Sequence, residues 1–154
     1  MKTMIEIIQA TQAHVQAIQL RQADVNEIMA TSGREPAEAL AACVAASTEA
    51  WCGLVDGKPI ALFGVGPLNI LNGMGSPWMV GSDLLNEHAF ELLRKSRPWV
   101  EQMHRLYPVL FNLVDERNVI SRRWLRWLGF SFYKPIRYGV EGRMFIPFER
   151  IRRV

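Results

Sequence analysis

The alternation of apolar and polar residues divides this chain into short segments of two kinds. Met4–Ile8 reads as a strand. Thr11 then offers an N-cap to a helix in which Val15, Ile18, Val25 and Ile28 carry much of an apolar stripe, ended by Thr31-Ser32-Gly33. Pro36 stands at the first turn of a second helix, EPAEALAACVAAS, whose alanines predict close packing. From Ala50 the period becomes that of strands. WCGLV and KPIALFGV flank Asp56-Gly57, the strongest short hairpin signal in the chain. A connection rich in Gly, Asn and Pro, GPLNILNGMGSP, leads to a further strand around Trp78–Val80. Gly81-Ser82-Asp83 closes that strand and supplies an N-cap for a long helix, LLNEHAFELLRKSRPWVEQMHRLY. Pro98 is expected to kink or split that helix, because proline removes an amide donor and crowds the preceding turn.

The segment from Val109 to Phe130, VLFNLVDERNVISRRWLRWLGF, is an apolar strand, a polar corner and an amphipathic helix stopped at Gly129. Such a βα unit suits a parallel pair of strands. On the helix, Ile120, Trp124, Trp127 and Leu128 share one side and Arg122, Arg123 and Arg126 the other, which predicts a core-facing stripe and a solvated basic face. The tail, FSFYKPIRYGVEGRMFIPFER, predicts two more strands joined around Gly139–Gly142. The order is β-α-α-β-β-β-α-β-α-β-β, an α/β protein with a mixed sheet and helices on both faces. Nothing in the pattern divides it, so a single domain over residues 1–154 is expected.

Composition narrows the classes. With 154 residues, 49% apolar and 21% charged, the chain has material for one ordinary core and lacks the signature of disorder. Its formal charge is +3, with arginines crowded toward the C-terminus. No aromatic platform accompanies them, so a solvated surface is expected in preference to a nucleic-acid partner. Cys43 and Cys52 have no CxxC partner or neighbouring His, which argues against a metal or redox motif and for two reduced thiols. His14, His88 and His104 have no spacing that suggests a triad or a metal site. The N-terminal MKTMIEIIQATQ has no apolar core of a signal peptide, and no run approaches the ~18 residues of a membrane span. An unsecreted protein without a membrane span is expected.

The element order and the residues Asn118, Ser121, Trp124, Leu125 and Leu128-Gly129-Phe130 resemble a segment of the GNAT acyltransferases that commonly reads N-x-x-A-x-x-x-Y-x-x-x-G-F. More narrowly, STEAWCGLVDGKPIALFGV, SPWMVGSDLL and RWLRWLGF are similar to a group of short phage-encoded GNAT-like proteins that includes internal virion protein A of small tailed phages. The resemblance runs from Ile5 to Phe148. It implies acetyl-CoA bound where the strands WMV and FNLV splay apart, no metal, and an amine acceptor. The cofactor-binding residues it implies are Trp78, Met79, Val80, Gly81, Ser82, Asn118 and Ser121. It also implies the host cytoplasm or a virion as the location, with a protein partner in the phage particle.

Against the GNAT pattern, Gly81-Ser82-Asp83 has one glycine and no basic residue where a Gly-rich phosphate loop is common. Leu125 takes the place of a tyrosine that often serves as acid, and Ser76–Val80 carries no Glu base. The catalytic candidates are therefore Asp115, Ser121 and Tyr138. Asp115, with Glu116, follows the strand and is equally suited to capping the next helix. Ser121 can donate a hydrogen bond or pack as a small residue. Tyr138, or Tyr133 beside it, can stand in for the missing acid. The expected function is an acetyl-CoA-dependent N-acyltransferase or its degenerate descendant; the alternatives are a non-catalytic virion or assembly protein and a basic nucleic-acid module.

Overall fold

A computed structural model describes residues 4–153. Eight strands form one sheet: β1 (Glu6–Gln9), β2 (Glu49–Val55), β3 (Lys58–Asn69), β4 (Met74–Gly81), β5 (Val109–Asp115), β6 (Ser131–Phe132), β7 (Ile136–Tyr138) and β8 (Arg143–Ile151). Their spatial order is β1-β2-β3-β4-β5-β8-β6, with β7 also paired to β8. Five helices connect them: α1 (Gln12–Ala17), α2 (Gln22–Ser32), α3 (Pro36–Ala46), α4 (Leu85–Leu106) and α5 (Val119–Trp127).

Alternation along β3 sends its side chains to two cores. Leu62 packs with Val15 and Leu40, so α1 and α3 cover one face. Phe63 and Val65 pack with Val100 and Met103 of α4 on the other. There Trp124 of α5 joins Ala61, Leu85 and Leu92. The expected mixed sheet with helices on both faces is what forms.

Tertiary contacts redraw four stretches, one of them the tail, where the two expected strands are three because β6 and β7 each pair separately with β8. The single helix expected after β1 is two. Thr11 does open α1, its N–H donating to His14 Nδ1 at 3.0 Å. The chain then leaves the helix at Ile18, Leu20 bridges to Ser82, and the Arg21 N–H donates to the Gly81 carbonyl at 2.8 Å before α2 begins. Pairing with the end of β4 overrides the helical period. Second, most of GPLNILNGMGSP is a hairpin, with Val65 opposite Pro77 and Pro67 opposite Gly75, turned at residues 70–73. Its glycines and prolines signal a loop, but both edges find partners. Third, Gly81-Ser82-Asp83 does not cap α4; Leu84 holds that position with no side-chain cap.

Helix α4 runs unbroken through Pro98, which lies on its exposed side. The Arg94 carbonyl that loses its donor is in an exposed residue and can bond water. Pro98→Ala should therefore raise stability by about 1–3 kcal/mol, read as a higher urea midpoint at unchanged slope. An unchanged midpoint would mean the proline is accommodated without strain. On α5 the buried stripe is shifted from the expected one. Trp124 is buried, but Ile120 and Trp127 are 41% and 40% exposed, and the Arg97 guanidinium lies 4.1 Å over the Trp127 ring.

Candidate functional site

The sheet has one parallel pair, and it is barely a pair. β4 and β5 match only at Met74 with Val109 and Gly75 with Leu110. Pro77, two residues on, has no N–H to offer a neighbour. The strands part there. Asn112 crosses the opening: its Nδ2 donates to the Pro77 carbonyl at 2.7 Å while its Oδ1 accepts from the Leu113 N–H at 2.7 Å. This strut sets the width of the gap.

Beyond the strut lies a cleft of about 230 Å³ that reaches both faces of the sheet. Trp99, Met103, Trp124 and Leu125 line it from α4 and α5, and Glu27, Leu40 and Cys43 from α2 and α3. Trp78, Met79, Val80 and Ser121, all expected at the site, also line it. The walls are mostly apolar and aromatic. Glu27 is the sole charged residue among them.

Glu27 was not among the sequence candidates. It is half-buried on α2, and its Oε1 accepts the Asp115 N–H at 2.6 Å. Burial pushes its carboxyl up to about 7, and the charges of Asp24 and Asp115 add to the effect against the hydrogen bonds from the Asp115 amide and Asn118. A carboxyl so placed is a mixture of both protonation states at neutral pH. The one signal available in sequence is its place three residues after Asp24, on the same side of a helix.

The remaining candidates have other work. Asp115 is bound to Arg117, with oxygen and Nη2 at 2.6 Å. Burial raises its pKa, but the Arg117 side chain and amide outweigh that and hold the carboxyl below the ordinary range. It is an ionised, paired group with little basicity, and its Oδ1 accepts the Arg117 N–H at 2.9 Å instead of capping α5 as its alternative role would require. Asn118 is buried and caps α5, accepting from the Ser121 N–H at 3.4 Å. It lines a separate small pocket with Gln22, Asn26, Asp115 and Arg117, outside the main cleft. Tyr138 packs edge-on against Phe145 at 5.4 Å, and the Tyr133 hydroxyl donates to Glu149 at 2.8 Å; neither lines the cleft. The hydroxyls and thiol that do are those of Ser96, Ser121 and Cys43. Burial pushes the Cys43 thiol up to about 11, so it stays protonated.

Gly81 and Ser82 are not cleft residues, because their amides are engaged. The Gly81 N–H donates to Asp24 Oδ2 at 2.8 Å and the Ser82 N–H to the Ile60 carbonyl at 2.9 Å. Of the amides that follow, those of Asp83 and Leu84 have no partner among the described residues, while those of Leu85, Asn86 and Glu87 turn back to the carbonyls of Ser82, Asp83 and Leu84. Among the described residues no group of three or more His, Cys, Asp or Glu could hold a metal, and no helix is long and apolar enough to cross a membrane.

No protein-family profile matches the sequence, and no curated protein matches it significantly. Solved structures do. Ard1 from Thermoplasma volcanium superposes with a TM-score of 0.75 at 10% identity, over 97% of this chain and 99% of that one. A ribosomal-protein-alanine N-acetyltransferase from Brucella melitensis gives 0.68 at 13% identity, over 96% and 99%. An acetyltransferase of the GNAT family from Streptococcus pneumoniae gives 0.65 at 12% identity, again over 96% and 99%. The chain has the GNAT fold.

That fold implies acetyl-CoA, and the residues present fit it only in part. The gap between β4 and β5 suits a narrow pantetheine arm. The head of α4 suits a pyrophosphate poorly: only the Asp83 and Leu84 amides are free, Asp24 and Asp83 add negative charge, and Arg21 is tied to Asp24 at 2.9 Å. Trp124 packs into the same cluster as Leu85, the first residue of α4, beneath this junction. Acetyl-CoA as a whole does not fit the site in the manner the GNAT fold implies.

Proposed function

We propose that this GNAT-fold protein transfers an acyl group from a thioester to an amine, with Glu27 as the base. The observation that carries the reading is a single titrating carboxyl in the wall of a mostly apolar cleft between parted strands. An ammonium must lose a proton before it attacks a carbonyl, and a base poised near pH 7 suits that step. The Asp115 amide holds one Glu27 oxygen, which leaves the other to accept the amine's proton. As the C–N bond forms the C–S bond breaks, and the thiolate leaves and takes up a proton as the free thiol. Apolar walls exclude water, so the thioester meets the amine in preference to hydrolysis. Fold alone does not imply this chemistry, and the acetyltransferase names of the structural neighbours belong to those proteins.

The test is calorimetry with acetyl-pantetheine, a thioester without a nucleotide, on the wild type and on Leu113→Trp, which fills the cleft. Saturable binding by the wild type and a loss of at least tenfold in the variant are expected. No binding by the wild type, or equal binding by both, would remove the cleft from the function.

A second reading has its own support. The tip of the β3–β4 hairpin carries Leu68, Ile70 and Leu71, the last two 79% and 98% exposed, and the head of α4 offers only two free amides, those of Asp83 and Leu84. Both suit a non-catalytic protein that works by contact with a partner, as the resemblance to phage virion proteins suggests, in the host cell or the particle. In that case the cleft binds no thioester.

A further inference from the structure

Where β4 ends at Gly81 and the 22-residue helix α4 begins, the chain builds the surroundings of a bound anion. A helix of that length directs its positive end at this turn. The Gly81 end of this turn is held by the chain's own carboxylate, while the Asp83 and Leu84 amides stay free. Asp24 is 1% exposed. Its Oδ2 receives the Gly81 N–H at 2.8 Å and Arg21 Nε at 2.9 Å, and its Oδ1 receives Arg21 Nη2 at 3.0 Å. Arg21 is 4% exposed and is itself pinned, its own N–H donating to the Gly81 carbonyl at 2.8 Å. A guanidinium fork and a backbone amide converging on two oxygens is a donor set equally matched to a phosphate. In the same turn Ser82 Oγ is buried and has no partner among the described residues, a further hydroxyl for an anion to use.

We propose that Asp24 is a built-in occupant of an anion seat formed by Arg21 and Gly81 beside the head of α4, and that it keeps phosphate groups out of that seat. The seat lies at the end of β4, whose Val80 lines the cleft. A thioester entering the gap is then selected by its acyl and pantetheine portions and not by a nucleotide diphosphate. The inference goes beyond the acyl-transfer reading and does not depend on it, since its readout is anion binding.

The experiment follows the Gly81 and Ser82 amides by ¹⁵N NMR while the full chain is titrated with inorganic pyrophosphate, for the wild type, Asp24→Ala and Asp24→Asn. The wild type should show no saturable shift up to millimolar pyrophosphate. Both variants should show one, weakened by salt, with affinity at least tenfold above any wild-type response. The double variant Arg21→Met with Asp24→Leu, an apolar replacement of the buried pair, should be silent. Saturable movement of Gly81 in the wild type would overturn the proposal, and so would silence in folded Asp24→Ala and Asp24→Asn. If Asp24→Ala unfolds, Asp24→Asn decides; unfolding of both would show Asp24 to be a structural partner of Arg21 and not the occupant of a seat, and would overturn the proposal. The acyl-transfer reading survives either result, because it is tested with a thioester that has no phosphate.

Discussion

Glu27→Gln is expected to lower the rate of amine acylation about 10²–10⁴-fold, the usual worth of a positioned general base, and at the same time to stabilise the protein above neutral pH. The two effects share one cause. The carboxyl is pushed from 4.5 to about 7, chiefly by burial. Between those values the folded state holds a proton that the unfolded state has released. Stability therefore falls as pH rises through the window, and the full penalty is present above pH 7. For a half-buried group this amounts to about 2 kcal/mol at pH 8. Glutamine still offers an oxygen to the Asp115 N–H but has no charge to desolvate. Thermal melting should show the variant and wild type nearly together at pH 5 and the variant several degrees higher at pH 8. The wild-type pH–rate profile should carry an acid limb near 7 that the variant lacks. Curves that stay together at both pH values would show that Glu27 is solvated in the folded protein, and the base assignment would go with it.

Gly139→Ala should cost roughly 3–5 kcal/mol, which few single changes reach. Gly139 has φ +79, in the left-handed region, and a Cβ there would overlap the Ala30 carbonyl oxygen and crowd Thr31. The β7–β8 turn docks on the end of α2, with Val140 N–H donating to the Thr31 carbonyl at 3.3 Å and Glu141 N–H to that of Ala30 at 3.4 Å. Those carbonyls belong to the last turn of the helix, where no helical donor remains. The same helix carries Glu27 and Asp24, so displacing its end should reduce activity along with stability. Gly142→Ala is the control. It has φ +64 but open space around the new Cβ, and should cost only about 1–2 kcal/mol. Urea melts that rank the two variants equally would mean the turn is not held against α2.

Local signals were enough for much of the framework. Asp56-Gly57 marked the β2–β3 hairpin, and both residues take positive φ there, Asp56 at 50 and Gly57 at 76. Pro36 marked the start of α3, and its Glu35 cap accepts from the Glu38 N–H at 2.9 Å. The strand-corner-helix order from Val109 to Trp127 was legible, but the cap falls on Asn118 where Asp115 and Glu116 were expected, and the buried stripe is shifted. The division of α1 from α2 was not, because Leu20 and Arg21 are drawn out of helical geometry by Ser82 and Gly81, about 60 residues away. The β3–β4 hairpin was hidden by composition, since glycine and proline signal loops wherever pairing partners are unknown.

What the sequence by itself determined is most of the elements and their mixed α/β arrangement, because capping, turn chemistry and apolar period act over a few residues. What only the tertiary structure decided is the chemistry. Glu27 becomes a base candidate through burial against Asp115, and Asp24 becomes an anion's substitute through Gly81. Charge and proton affinity depend on what surrounds a group in space, and neither carboxylate meets those neighbours until the sheet has closed over α2.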